Sequence, residues 1–162
     1  MGHLVHQKEE VYRLLAQRLN KNPVGVPVND TLMAILRRLY TEAEAGVGSK
    51  FPLRPMTLDQ MAAATGIDGQ ELGPILDGMA DKGLVLDIPR QETCFYFLAP
   101  MVIGFFEYTF MRVRDNVDMK ELAALFKSYF HDKAVADEFA GVETRMERTL
   151  VYEPGSRARS RR

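Results

Sequence analysis

The chain has 162 residues, 46% hydrophobic and 27% charged, with a formal net charge of −1; this is an ordinary globular composition that can bury one core or two small ones. The near-neutral total hides an asymmetry, because residues 154–162 hold four arginines and no acid, which leaves 17 of the 21 bases against 22 acids, or −5, in the body. A nucleic-acid binder shows the reverse balance, and the longest apolar run, Pro100 to Met111, contains Glu107 and falls short of the roughly 20 residues that span a bilayer.

Val5 to Leu19 reads as a helix, with Val5, Val11, Leu14, Leu15, Arg18 and Leu19 on one imperfect stripe and Lys8, Glu9, Glu10 and Arg13 largely opposite. Pro23, Gly25 and Pro27 then mark an extended connector. Asn29 or Asp30 caps the next helix, whose core face carries Leu32, Ile35, Leu36 and Leu39 while Arg37 and Arg38 point elsewhere. Four glycines and prolines within Gly46 to Pro55 read as a loop.

Residues 57–98 carry the pattern of a winged helix. Thr57 with Gln60 forms a capping box, Gly66 suits a turn, and Asp68 caps a second helix bearing Leu72, Ile75, Leu76 and Met79. Gly83 ends that helix at positive φ. Leu84 to Ile88 and Thr93 to Leu98 form two strands around the polar tip Pro89-Arg90-Gln91-Glu92. Val102 to Arg114 reads as an aromatic-rich helix, and Asp118 caps another through Tyr129. Val135 to Leu150 holds a short helix and a final segment. The fold class expected is mainly α: a winged helix-turn-helix with a two-stranded wing and extra N- and C-terminal helices. Residues 1–153 make one domain, with the winged-helix core at about 30–99 and a C-terminal helical part at about 101–150. Residues 154–162 form a disordered basic tail.

The shape and the charge disagree. A helix-turn-helix presents its second helix to a major groove, yet Thr57 to Lys82 contains the acids Asp59, Asp68, Glu71, Asp77 and Asp81 against the single base Lys82. Gln70 has the chemistry to read adenine, but Glu71, Asp77 and Asp81 repel phosphates. Acids near a helix start also complement the macrodipole without any ligand. Arg37, Arg38, Arg54 and Arg90 are the residues able to rescue DNA binding, and no basic stripe gathers them. A protein partner imposes no fixed sign of charge, so Asp68, Gln70, Glu71, Asp77, Asp81 and Arg90 are candidates for a protein-contact surface. Phe105, Phe106, Tyr108 and Phe110 are too many for one narrow helical stripe. Either the chain's own domain covers such a helix on both sides, or its second face joins that surface and is met by an interdomain contact or a homodimer.

Catalytic, cofactor and metal signatures are not found. There is no nucleophile elbow, phosphate loop, dinucleotide glycine pattern or zinc spacing. His3 and His6 lie three apart, but two ligands fall short of the three or four a metal needs. His131 near a helix C-terminus needs no catalytic role. Cys94, the only cysteine, sits in an apolar strand as a small core residue and cannot alone hold a zinc ion or an iron–sulfur cluster. No secretory signal or membrane span is visible, so a cytoplasmic, reduced setting and a non-enzymatic role are the expectations.

Several strings carry a family resemblance: LAQRLNKNPVGVPVNDTLMAILRRLYTEAEAGVGSKFP, MTLDQMAAATG with GMADKGLV, PMVIGFFEYTFMRVR, and ELAALFKSYF. Over roughly Val11 to Glu153 the chain resembles the N-terminal winged helix-turn-helix region of anaerobic bacterial ferredoxin-type 4Fe–4S iron–sulfur oxidoreductases. That family's chemistry lies in cysteine-rich segments further along, so the resemblance carries no cluster ligand onto this sequence. It implies a 4Fe–4S cluster only in a downstream domain, and a role here in docking or regulating a redox partner. In outline the winged-helix part also resembles MarR/ArsR-like regulators. That likeness implies the alternative of a dimeric DNA-binding transcription regulator, with recognition helices about 34 Å apart and arginines gathered around Gln70.

Overall fold

The computed structural model describes residues 2–111 and 117–140. It is mainly helical, with a small three-stranded antiparallel sheet. In chain order the elements are α1 (Gly2–Leu19), α2 (Asp30–Leu39), α3 (Glu42–Ser49), β1 (Met56–Thr57), α4 (Leu58–Thr65), α5 (Gly69–Asp81), β2 (Val85–Arg90) and β3 (Thr93–Leu98). A π-helical turn, Met101–Phe105, leads into α6 (Phe106–Met111), and α7 (Met119–Phe130) and α8 (Lys133–Ala140) follow. The expected segment beyond residue 140, the basic tail 154–162 and the Arg112–Arg114 end of the aromatic helix lie outside the described residues, as do the side chains of His3 and His6.

Local chemistry sets the helix starts. Asn29 accepts the Leu32 amide at 2.9 Å and begins α2. Thr57 and Gln60 close a reciprocal capping box on α4, as their spacing predicts. Asp68 accepts the Gln70 amide at 2.8 Å, and Asp118 accepts the amides of Lys120 and Glu121. Gly66 ends α4 at a φ of 73°. Gly83 follows α5 at a φ of 72°.

The segment read as a loop from Gly46 to Pro55 begins as a helix: its first four residues, Gly46 to Ser49, are the end of α3, and the loop starts only after them. Thr41 and Glu44 form a capping box that starts α3, one turn before the glycines. Gly48 serves close packing here: a Cβ on it would stand 2.9 Å from Leu15 Cδ1, so its absence lets α3 lie along α1. Arg18 on the same face of α1 is buried and pins the chain that leaves α3. It donates to the carbonyls of Phe51 and Pro52, the latter at 2.6 Å, and to Asn22 at 3.2 Å.

The sheet has one strand more than expected. β1 pairs with β3, Met56 opposite Tyr96, giving the order β1-β3-β2. β3 keeps its expected bounds, but β2 runs two residues past the expected Ile88 and leaves only Gln91 and Glu92 as the turn, Gln91 taking a φ of 53°. The Ala99 amide bonds the Leu84 carbonyl at 3.0 Å. Antiparallel alternation then turns the peptide groups of Val85, Asp87 and Pro89 toward the open edge of β2, which is where a proline without an N–H is tolerated.

One cluster of buried side chains joins these elements, from Leu15 and Leu19 on α1 through Leu32, Ile35 and Leu36 on α2 and Leu72, Leu76 and Met79 on α5 to Phe126 and Tyr129 on α7 and Val135 on α8. The C-terminal helices close over the N-terminal connector: Tyr129 donates its hydroxyl to the Pro27 carbonyl at 3.0 Å, and Glu138 accepts the Gly25 amide at 3.0 Å.

Two glycines should respond with opposite sign. At Gly83 an alanine meets both a left-handed φ and the Cβ of Tyr108, which a Cβ would approach to 2.5 Å. Gly83→Ala should therefore destabilise by about 2 kcal/mol or more. Around Gly46, inside α3, a Cβ would meet nothing within 4 Å, so Gly46→Ala should stabilise by about 0.5–1 kcal/mol. Urea unfolding of both variants checks the pair.

Burial, and secondarily Glu44, raises the Tyr40 phenol far above its ordinary value, and burial with Asp132 and Glu138 does the same for Tyr129. The folded chain keeps these protons where the unfolded chain loses them, near pH 10. Their contribution is intact below that pH and declines as pH climbs above it. In a spectroscopic titration of tyrosinate, these two phenols should ionise only together with global unfolding.

Candidate functional site

The exposed side of α5 is a polar surface. Leu72, Leu76 and Met79 point into the core, which leaves Gln70, Glu71, Pro74, Asp77 and Asp81 outside. Gln70, Pro74, Asp77 and Asp81 recur at helical spacing and make one stripe. Asp68 stands exposed at the start of the helix, with one carboxylate oxygen engaged in the cap. Asp77 also lies beside the hairpin: the Tyr96 phenol is raised first by burial, then by Cys94 and by the carboxylate of Asp77.

The single base of this stretch faces away from that surface. Lys82 reaches back to Glu44, its Nζ lying 2.8 and 2.6 Å from the two carboxylate oxygens, and it approaches the Leu39 carbonyl at 3.5 Å. Glu44 is buried and simultaneously accepts the Thr41 amide at 2.7 Å in the α3 capping box. So Lys82 ties α5 to the start of α3.

The arginines considered for phosphate contact do not gather. Arg37 pairs with Glu9 of α1 and Arg38 with Glu121 of α7. Both exposed pairs lie on α2, away from the stripe. Arg54 is exposed in the loop before β1, and Arg90 is exposed at the hairpin tip beside Gln91 and Thr93.

The aromatic segment separates into different environments. Phe105 is wholly enclosed, its ring edge-on to Tyr40 at 6.2 Å, so it belongs to the core and not to a contact surface. Its neighbour Phe106 is half-buried, 5.0 Å from Phe126 and 4.9 Å from Phe130. Phe110 contacts Phe106 and Phe126 and keeps 39% exposure. Tyr108 is 37% exposed and Met111 76%. The two-sided character read from the sequence is therefore met largely inside the chain, because α7 takes one side and Tyr40 the other. The π-helical turn gives the segment its phase: Phe105 donates its amide to the Pro100 carbonyl, five residues back, at 2.9 Å, and Glu107 accepts the Gly104 amide at 2.8 Å.

Two surface features escaped the sequence reading. In the sequence Met111 stands out only as part of an apolar run. The hairpin register also puts Leu86 with Phe97 and Ile88 with Phe95 on one face, opposite the side that Tyr96 and Leu98 turn inward. Strict alternation in Thr93 to Leu98 is the signal that could have exposed it. Among the described residues no group of three or more His, Cys, Asp or Glu is placed to hold a metal, and no helix is long and apolar enough to cross a membrane. Cys94 is half-buried in β3, and His131 closes α7 with Nδ1 2.7 Å from the Lys127 carbonyl.

If Lys82 is an internal tether, Lys82→Ala should leave Glu44 enclosed without its cation and cost about 1–3 kcal/mol. The double variant Glu44→Gln, Lys82→Met should cost less than Lys82→Ala, since glutamine still accepts the Thr41 amide. Chemical denaturation of the three proteins measures the difference.

Comparison of the chain with protein-family models, with curated proteins and with solved structures finds no match in any of the three.

Proposed function

We propose that this chain is a non-enzymatic winged-helix module that binds or regulates a protein partner within a 4Fe–4S redox system, in a cytoplasmic setting. The order of α2, β1, α4, turn, α5 and the β2–β3 hairpin supports the winged-helix reading. One observation carries the choice of partner. The face of α5 that would enter a major groove bears Glu71, Asp77 and Asp81, while Lys82 is turned to Glu44 and Arg37 and Arg38 are engaged by Glu9 and Glu121. Binding to duplex DNA draws most of its affinity from cations that displace counterions, and this face offers none from α5.

The redox association rests on the resemblance of the quoted strings. The cluster would be carried by a separate cysteine-rich segment, because Cys94 is the chain's only thiol. The competing reading is a dimeric MarR/ArsR-like regulator, which draws on the same topology.

A gel-shift assay at low salt with duplex DNA separates the two. The expected result is no retardation at micromolar protein. Tight binding that weakens steeply as salt rises would falsify the adaptor reading. The reading frame beyond codon 162 tests the redox part, where a CxxCxxC-type run is expected.

A further inference from the structure

The outer face of the β2–β3 hairpin is built in three rows. The register sets Leu86 beside Phe97, Ile88 beside Phe95 and Arg90 beside Thr93, and alternation puts all six on the side opposite Tyr96 and Leu98. Phe95 and Phe97 are half-buried, and Ile88 is 40% exposed. At the tip, Arg90, Gln91, Thr93 and Phe95 line a cavity of about 470 Å³. One wall is an aromatic ring, and the others bring a guanidinium, an amide and a hydroxyl, all able to donate hydrogen bonds. Glu92, the next residue of the turn, is not among the lining residues. Arg90 takes part in none of the ion pairs among the described residues, whereas Arg37, Arg38 and Lys82 are each held by a glutamate.

These contents restrict the occupant. A purely apolar group would strip water from Arg90, Gln91 and Thr93 with nothing in return. A lone acid would gain little from an exposed arginine and would leave Phe95 and Ile88 in water. A nucleic-acid strand draws its affinity from many cations along the backbone, and these rows present one, on a chain whose acids outnumber its bases. The three rows span about 14 Å along the strands and roughly 10 Å across them. That is far short of the roughly 800 Å² each partner gives to a standard interface between folded proteins, so the face suits a short segment and not a second copy of the chain. A carboxylate matches the guanidinium fork. Neighbouring rows stand about 6.8 Å apart, the separation of every second residue in an extended chain.

We propose that the outer face of the hairpin tip docks a short extended segment of a partner protein in which an apolar side chain stands two residues from a carboxylate. The apolar side chain rests on Phe95 and Ile88, and the carboxylate accepts hydrogen bonds from Arg90 with Gln91 and Thr93 beside it. This rests on the protein-binding reading above and names the partner's chemistry.

The test is a titration of the isotope-labelled full chain with a short, end-capped synthetic peptide that carries leucine and aspartate two residues apart, read by amide chemical shifts. Matched peptides with asparagine or lysine in place of aspartate, and with glycine in place of leucine, serve as controls. The expected shifts centre on residues 88–95. Arg90→Gln and Ile88→Ser, both at exposed positions, should each weaken binding by roughly fivefold, and Arg90→Gln should also abolish the preference for aspartate over asparagine. Arg54→Gln, an exposed cation outside the hairpin, should leave binding unchanged. Failure of the leucine–aspartate peptide to bind overturns the proposal. So do a shift map centred away from the hairpin, equal binding of any control peptide, and tighter binding of a single-stranded oligonucleotide at the same residues. The first three outcomes leave the adaptor reading standing, which falls separately if duplex DNA is retarded.

Discussion

Gly83 sits at a φ of 72° with no room for a side chain beneath Tyr108. Lys82 beside it is held by the two oxygens of Glu44. Three parts of the molecule meet at these adjacent residues. The left-handed turn sends the chain from α5 into β2, the close approach lets α6 cross the turn, and the ion pair fastens the end of α5 to the capping box of α3. The orientation of α5, and hence which of its residues reach solvent, follows from this junction. A side chain at position 83 would push α6 away from the turn that ends α5.

Charge is sorted by element in a way the net total conceals. Basic side chains are repeatedly used to join helices: Arg18 binds the carbonyls after α3, Arg37 and Arg38 connect α2 to α1 and α7, and Lys82 joins α5 to α3. The exposed pairs add little stability each. Their larger effect is to hold these cations at the seams between helices.

Features governed by near neighbours were legible in the sequence. The caps at Asn29, Thr57, Asp68 and Asp118 and the left-handed glycines at 66 and 83 depend on residues within one turn, and each stands where its spacing indicated. Features governed by distant contacts were not. Gly48 reads as a chain reversal because glycine serves turns and close packing alike, and only the presence of Leu15 decides between them. β1 spans two residues, too few to show a period, and exists because β3 offers it an edge. The burial of Phe105 depends on Tyr40, 65 positions earlier, whereas the acidic character of the α5 face was plain from residue types at helical spacing.

The placement of Pro89 also bears on how copies of this chain can associate. Three residues of β2 turn their peptide groups to the open edge. Val85 is enclosed, Pro89 has no hydrogen to donate, and Asp87 brings a carboxylate to its N–H. A further strand laid along that edge would find one amide donor flanked by a negative charge. Growth of the sheet is therefore disfavoured at its β2 edge, a protection against edge-to-edge association. Any assembly this protein forms along that edge must be built from side-chain surfaces and not by adding a strand.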